Sequence, residues 1–289
     1  MKQIVTALLV LISFASISQV RMFSGTIGKY PIHLVTYSYS DGDTRAIYAY
    51  DKHDTPISIN GRLSNNTLTL DELDGKGAAV ATLELYGIGL SQRTFKGKWI
   101  SQDRKVVYDI LLTKEHEFDS YDESTFDSLE LMQSESTSDF YFKLVLSKSA
   151  DDDVRVTGVR VYQKRTDKLK QELDLDCQFR GLSGVSVADY NFDGIDDFSV
   201  FEASYAGPNT TSVYILRDPN ANQFFISEIS GVSLEFDAGE KLIHEYNQCC
   251  AGTKHMYITY KLVNNKMVEV EKHCYEYNEE KDELVEGNC

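Results

Sequence analysis

Short β-forming runs punctuated by tight-turn dipeptides recur from Phe23 to about Leu112, and this punctuation restricts what the chain can build. The runs at 32–37, 46–50, 67–70 and 80–85 alternate or are rich in β-branched and aromatic residues. Asp41-Gly42, Asn60-Gly61, Asn65-Asn66 and Asp74-Gly75 bound them. Runs of that length between such turns predict an antiparallel meander that closes into a barrel or stacks as a sandwich. The segments 95–99 and 106–112 predict its closing hairpin.

Between 115 and 137 the texture shifts to Glu, Asp, Ser and Thr with scattered Phe and Leu, which predicts a connector with a short helix near 128–132. It separates an N-terminal β module at 19–114 from a C-terminal one at 138–289, each long enough to bury a core. Strands are predicted at 140–146, 154–162, 185–188, 198–203, 211–216, 223–226, 254–262 and 267–275. No long amphipathic helix pattern occurs, so the fold class is all-β.

The first residues, Met1-Lys2-Gln3, run into an apolar stretch at 4–15 and then Ser16-Ile17-Ser18, the order of a secretory signal peptide cut after Ser18. The stretch falls short of the roughly 20 apolar residues that a membrane span needs. No Cys lies near the cut, and no other segment is apolar enough to span. A periplasmic or secreted protein is expected.

Acidic residues outnumber basic ones by 45 to 29, for a net charge of −16. Phosphate backbones are repelled by such a surface, and no Lys/Arg stripe with interleaved aromatics is present, so nucleic acid is excluded as a partner. The same charge suits a divalent cation or a basic protein. The five cysteines are Cys177, Cys249, Cys250, Cys274 and Cys289. In an oxidising compartment they are disulfide candidates, with an odd one left over. No CxxC pair with matching His spacing supports zinc. Adjacent Cys249 and Cys250 are poor partners for each other, because a ring of neighbouring residues strains the peptide. Cys274 is a candidate partner for either of them across the hairpin that Asn264-Asn265 can turn, and the pairing stays open.

One loop carries recognisable chemistry. In Asp189-Tyr190-Asn191-Phe192-Asp193-Gly194-Ile195-Asp196-Asp197, oxygen side chains fall at alternate positions and Gly follows the third. A chain wound around a hard cation needs that pattern, so Asp189, Asn191, Asp193, the Ile195 carbonyl and Asp197 are expected to bind Ca²⁺. An EF-hand requires Glu at the twelfth position and helical flanks, whereas Val200 stands there and the flanks read as strands. The expected role is a structural brace.

Catalytic motifs are absent: there is no Gly-x-Ser-x-Gly, no His-Glu-x-x-His and no phosphate-cradling Gly loop. Acidic pairs such as Asp196-Asp197 and Glu279-Glu280 are what a chain this acidic contains by chance. The protein is read as a non-enzyme.

The loop by itself resembles the FG-GAP repeat of integrin-like propellers. Taken with Ala206-Gly207-Pro208-Asn209, the strand and turn at 214–219 and Phe224, the segment from about 140 to 275 resembles a periplasmic family of immunity proteins typified in Xanthomonas, which inhibit lysozyme-like effectors. The resemblance implies a Ca²⁺-binding, β-propeller-like C-terminal domain whose loop occludes the active site of a peptidoglycan hydrolase. It places Tyr205, Gly207, Asn209 and Tyr214 in the partner-binding stretch, with Tyr205 or Tyr214 as the inserted side chain. This sequence differs from the type member in its additional N-terminal β module and its lack of a lipidation Cys. The alternative reading is a cell-surface module for glycan or matrix.

Overall fold

Alternation of apolar and polar residues along eight consecutive strands closes the first half of the molecule into a barrel. The computed structural model describes residues 19–88, 91–119, 123–150 and 152–289, and the leader expected at 1–18 lies outside them. The barrel strands are β1 (Gln19–Ile27), β2 (Tyr30–Ser38), β3 (Asp43–Tyr50), β4 (Ile57–Ser64), β5 (Thr67–Leu73), β6 (Ala79–Tyr86), β7 (Thr94–Ser101) and β8 (Val107–Asp119). All neighbours are antiparallel, and β1 pairs with β8 from Gln19↔Asp119 to Ile27↔Ile110 to complete the ring.

The barrel interior is filled by Phe23, Leu34, Tyr48, Leu68, Leu70, Leu83, Leu85, Phe95 and Leu112. Charged residues including Arg62, Asp71, Lys96 and Asp109 take outward-facing, exposed positions. A lipid-spanning barrel has the opposite arrangement, apolar outside and polar within. No helix among the described residues is long and apolar enough to cross a membrane.

Turn chemistry follows the sequence in most places. Asn65 and Asn66 both adopt positive φ, 51° and 61°, giving the left-handed pair that joins β4 to β5. The expected turn at Asn60-Gly61 does not form: both residues lie inside β4, opposite Asp71 and Leu70. A Cβ at Gly61 would sit 1.8 Å from the Thr69 carbonyl, so this glycine permits close strand approach.

The segment 115–137 is strand for most of its length, contrary to the expected connector and helix. β8 continues to Asp119, and β9 (Phe126–Ser136) starts a new sheet. The polar texture misled because the Glu, Asp and Ser residues take surface positions, while Phe118, Leu131 and Met132 turn into the core.

Three antiparallel meanders follow. The first has the order β12-β11-β10-β9 and adds β10 (Phe140–Lys148), β11 (Arg155–Gln163) and β12 (Lys168–Gln178). The second comprises β13 (Val185–Ala188), β14 (Asp197–Ser204), β15 (Thr210–Asp218) and β16 (Gln223–Ile226). The third comprises β17 (Leu234–Asp237), β18 (Leu242–Cys249), β19 (Lys254–Val263), β20 (Lys266–Asn278) and β21 (Glu283–Gly287). Strands β12, β17, β18 and β21 escaped the sequence reading, because polar and charged residues crowd them and little of each is buried.

The two halves are joined by packing. Val20, Val35, Ile47 and Phe118 point outward from the barrel into one core with Phe142, Leu144, Val159, Phe198, Val200 and Ile215. The middle meander is buried on both faces: Phe198 and Ile215 meet the first, and Tyr214 and Leu216 meet Ile243 and Phe236 of the third.

Candidate functional site

The aspartate loop connects β13 to β14, with Ala188 paired to Asp197 across its base. The flanks are strands, as expected. Phe192 and Gly194 have positive φ, 62° and 88°, and fold the chain back on itself. Asp189 accepts hydrogen bonds from the Asp193 and Gly194 amides at 3.0 and 2.8 Å, and Asp193 accepts one from the Ile195 amide at 2.9 Å. Asn191 donates to the Asp193 carboxylate and accepts from the Asp193 amide.

Asp197 behaves differently from the others. It is fully buried, and its two oxygens accept from the Tyr190 amide at 3.0 Å and the Arg217 amide at 2.8 Å, tying the loop to β15. Burial, with a smaller contribution from the negative charges of Asp193 and Asp189, pushes its carboxyl up to about 6. As the side chains stand, no three His, Cys, Asp or Glu groups among the described residues are gathered closely enough to hold a metal.

At the opposite end of β14 from this loop, β14 and β15 are joined by a turn at 205–209. Tyr205 is 56% exposed and Gly207 faces open space at φ 75°. Asn209 anchors the turn: its side-chain amide donates to the Asn247 side chain at 3.1 Å and the Gln248 carbonyl at 2.7 Å, and it accepts from the Gln248 amide at 3.1 Å. Tyr214 does not reach the surface. It packs edge-on against Tyr190 at 5.0 Å and beside Phe236, and burial pushes ionisation of its hydroxyl to higher pH. Of the four residues read as a partner-binding stretch, Tyr205 and Gly207 therefore form a presented tip, Asn209 anchors it, and Tyr214 belongs to the core between the second and third meanders.

Cys274 is bonded to Cys289, with Cα atoms 5.3 Å apart, and not to Cys249 or Cys250. The register gives the reason: Cys274 lies on β20 opposite Met256 of β19, so a whole strand separates it from β18, while β21 lies directly beside it. Cys177 is buried, and burial pushes its thiol up to about 11. Cys249 and Cys250 are exposed, with sulfurs 3.0 Å apart.

A second concavity escaped the sequence reading altogether. A cleft of about 690 Å³ lies between the barrel and the β9–β12 sheet. Tyr141 and Tyr162 stack in its wall at 5.3 Å between ring centroids, with the Lys143 ammonium 4.6 Å from the Tyr162 ring. Glu130 accepts from Lys143, Arg160 and the Tyr162 hydroxyl. Buried Asp54, held at φ 56°, accepts from the Arg165 amide at 2.6 Å, and Asp167 accepts from the Tyr141 hydroxyl at 2.7 Å. Burial raises the Asp54 carboxyl, and the adjacent Asp167 adds to the effect. The pair fastens barrel to sheet. No motif could have revealed it, since its members lie more than a hundred residues apart in sequence.

No protein-family model matches the sequence, and no curated protein matches it significantly. Among solved structures, the chain is similar to intact Ap-TbpB, comprising its N and C lobes. The similarity covers 94% of this chain and 78% of that one at 8% identity and a TM-score of 0.24, a likeness that carries no argument about fold or activity.

Proposed function

We propose that this protein is a non-enzymatic binding protein of the periplasm or cell exterior, which inhibits a lysozyme-like peptidoglycan hydrolase by presenting the 205–209 turn to its active-site groove. The observation that carries this reading is the contrast between the exposed Tyr205 ring and the triple hydrogen bond of Asn209 beneath it. An exposed aromatic on a pre-ordered turn loses little conformational freedom on binding. A net charge of −16 complements the basic surface common to lysozyme-like enzymes and favours fast encounter. The three successive meanders are compatible with a propeller-like second half.

Ca²⁺ belongs to the same proposal. Asp189, Asp193 and Asp197 are close enough for the first two to oppose ionisation of the third. Hard oxygen donors at alternate positions fit Ca²⁺, and the one cationic side chain bonded to the loop among the described residues, Lys241, donates to the Phe192 carbonyl at 3.1 Å and not to a carboxylate. Asp189, Asn191, Asp193, the Ile195 carbonyl and Asp197 would hold it. Bound there, the ion would supply positive charge that relieves this repulsion and braces the loop at the end of β14 opposite the tip.

The test is titration of the purified protein against a panel of lysozymes and other peptidoglycan hydrolases with Ca²⁺ present, scored by binding and by residual hydrolysis. Binding to at least one member, weakened tenfold or more by Tyr205→Ala without a change in melting temperature, is expected. No binding to any member overturns the inhibitor reading. The cleft that Tyr162 lines favours the second reading, a glycan-binding module, because sugar rings pack on aromatic faces in such clefts. Retention on isolated cell wall that survives Tyr205→Ala and is lost in Tyr162→Ala selects it.

A further inference from the structure

Accounting for the cysteines leaves one unexplained pair. Cys274 and Cys289 are joined, and Cys177 is sealed in the core. Cys249 and Cys250 remain, exposed and adjacent, with sulfurs 3.0 Å apart.

The objection to bonding neighbouring cysteines is that the small ring forces the backbone out of its usual conformations. Here the backbone already occupies unusual ones. Cys249 is extended at φ −134°, ψ −178°, Cys250 and Ala251 each have φ of 56°, and Gly252 follows at 84°. Consecutive non-glycine residues in the left-handed region are held only where surrounding contacts determine them, and such strain concentrates at functional positions. The contacts are present. The Thr253 amide and hydroxyl both donate to the Cys250 carbonyl, at 3.2 and 2.8 Å. His255 Nε2 donates to the Gly252 carbonyl at 2.9 Å, and its Nδ1 accepts from the Tyr246 hydroxyl at 2.7 Å. The turn therefore brings the two sulfurs together by means that do not depend on a bond between them.

We infer that Cys249 and Cys250 close a vicinal disulfide when the chain meets a disulfide oxidant. A thiolate of the pair attacks the oxidant's disulfide and displaces one thiol. The neighbouring sulfur then attacks the mixed disulfide and displaces the second. Two S–H bonds are lost and one S–S bond forms. The two hydrogens and two electrons leave with the oxidant, which departs as two thiols. The five cysteines then resolve into two bonds and one inert core thiol.

The ring also adjoins the tip. Gln248, directly before it, provides the backbone amide and carbonyl that bind Asn209, so closing the ring stiffens the support of the 205–209 turn. This consequence bears on the proposed function, whereas the bond assignment stands apart from it.

The experiment is alkylation mapping of the full chain. The protein is incubated with oxidised glutathione, denatured, treated with iodoacetamide without reductant, digested and analysed by mass spectrometry. Alkylation of Cys177 alone is expected, with Cys249 and Cys250 in one peptide lighter than the dithiol form by two hydrogens. Alkylation of both Cys249 and Cys250, or a link from either to Cys274, Cys289 or a second chain, overturns the assignment. In Cys250→Ser, Cys249 should stop at the mixed disulfide and carry one glutathione. Hydrogen exchange over 205–210 should be slower in the oxidised protein than in Cys249→Ser, and equal exchange overturns the coupling to the tip. Neither readout involves a binding partner, so its failure is distinguishable from failure of the inhibitor reading.

Discussion

In the barrel each strand has two partners and no backbone edge is left over, and Leu68, Leu70, Leu83, Leu85 and Phe95 are completely enclosed. The meanders that follow are open at both sides. The last of them contributes Ile243 and Ile258 to the buried core, while Val263, Val268, Val270, Tyr277 and Leu284 lie at its surface. All five cysteines fall in this second half. So do the Asn209 clamp and the buried Glu245, which accepts from the Tyr260 hydroxyl at 2.8 Å. Closure lets a sheet rely on packing. Where packing is thin, side-chain hydrogen bonds and a covalent bond hold the strands instead.

The sharpest way to break this contrast is to damage each half by its own means. Phe95→Ala removes an enclosed ring in edge-on contact with Phe23 at 5.6 Å, and it should cost about 3–5 kcal/mol in denaturant unfolding. A cost below about 1 kcal/mol would show that the barrel core is not what holds the barrel. In the second half, chelation should lower the melting temperature and added Ca²⁺ restore it. A ligand at a hundred times its Kd contributes about 2.7 kcal/mol. Asp193→Ala should abolish the response, and an unchanged melt in chelator removes the ion from the proposal. Asn209→Ala leaves the Gln248 amide and carbonyl without their partner and should cost about 1–3 kcal/mol, with faster hydrogen exchange over 205–210.

The smallest effect is expected at the junction of the halves. Asp54 ionises at higher pH in the folded protein than in the unfolded chain, so the native state holds its proton longer. Its contribution favours folding below the unfolded carboxylate range and is lost as pH rises through the folded value. Asp54→Asn keeps a neutral group that still accepts from Arg165. It should raise stability at pH 7 by less than about 1 kcal/mol and flatten the pH dependence on the acid side. A lower melting temperature at pH 7 would overturn this.

What the sequence disclosed follows the same division. Barrel strands β2, β3, β5 and β6 were legible because alternation there coincides with burial, and Asn65-Asn66 marked its turn unambiguously. In β12 and β21 most positions are exposed, so alternation carries little hydrophobic signal. The aspartate loop could be placed between strands, but the inward turn of Asp197 onto the Tyr190 and Arg217 amides depends on β15, some twenty residues downstream. The Asp54–Asp167 junction depends on the barrel meeting a sheet, which no local pattern encodes.

The seam between β1 and β8 also sets an order of events in time. Gln19 pairs with Asp119, so the ring cannot close until about a hundred residues of chain are available, and contacts that distant form slowly. The outward residues Val20 and Phe118 sit on either side of that seam and belong to the core shared with the next sheet. Until the seam is made, the surface that docks the second half does not exist. A chain released in segments from its N-terminus would therefore hold its first strand unpaired on one side until the eighth arrives, and only then could the two halves dock.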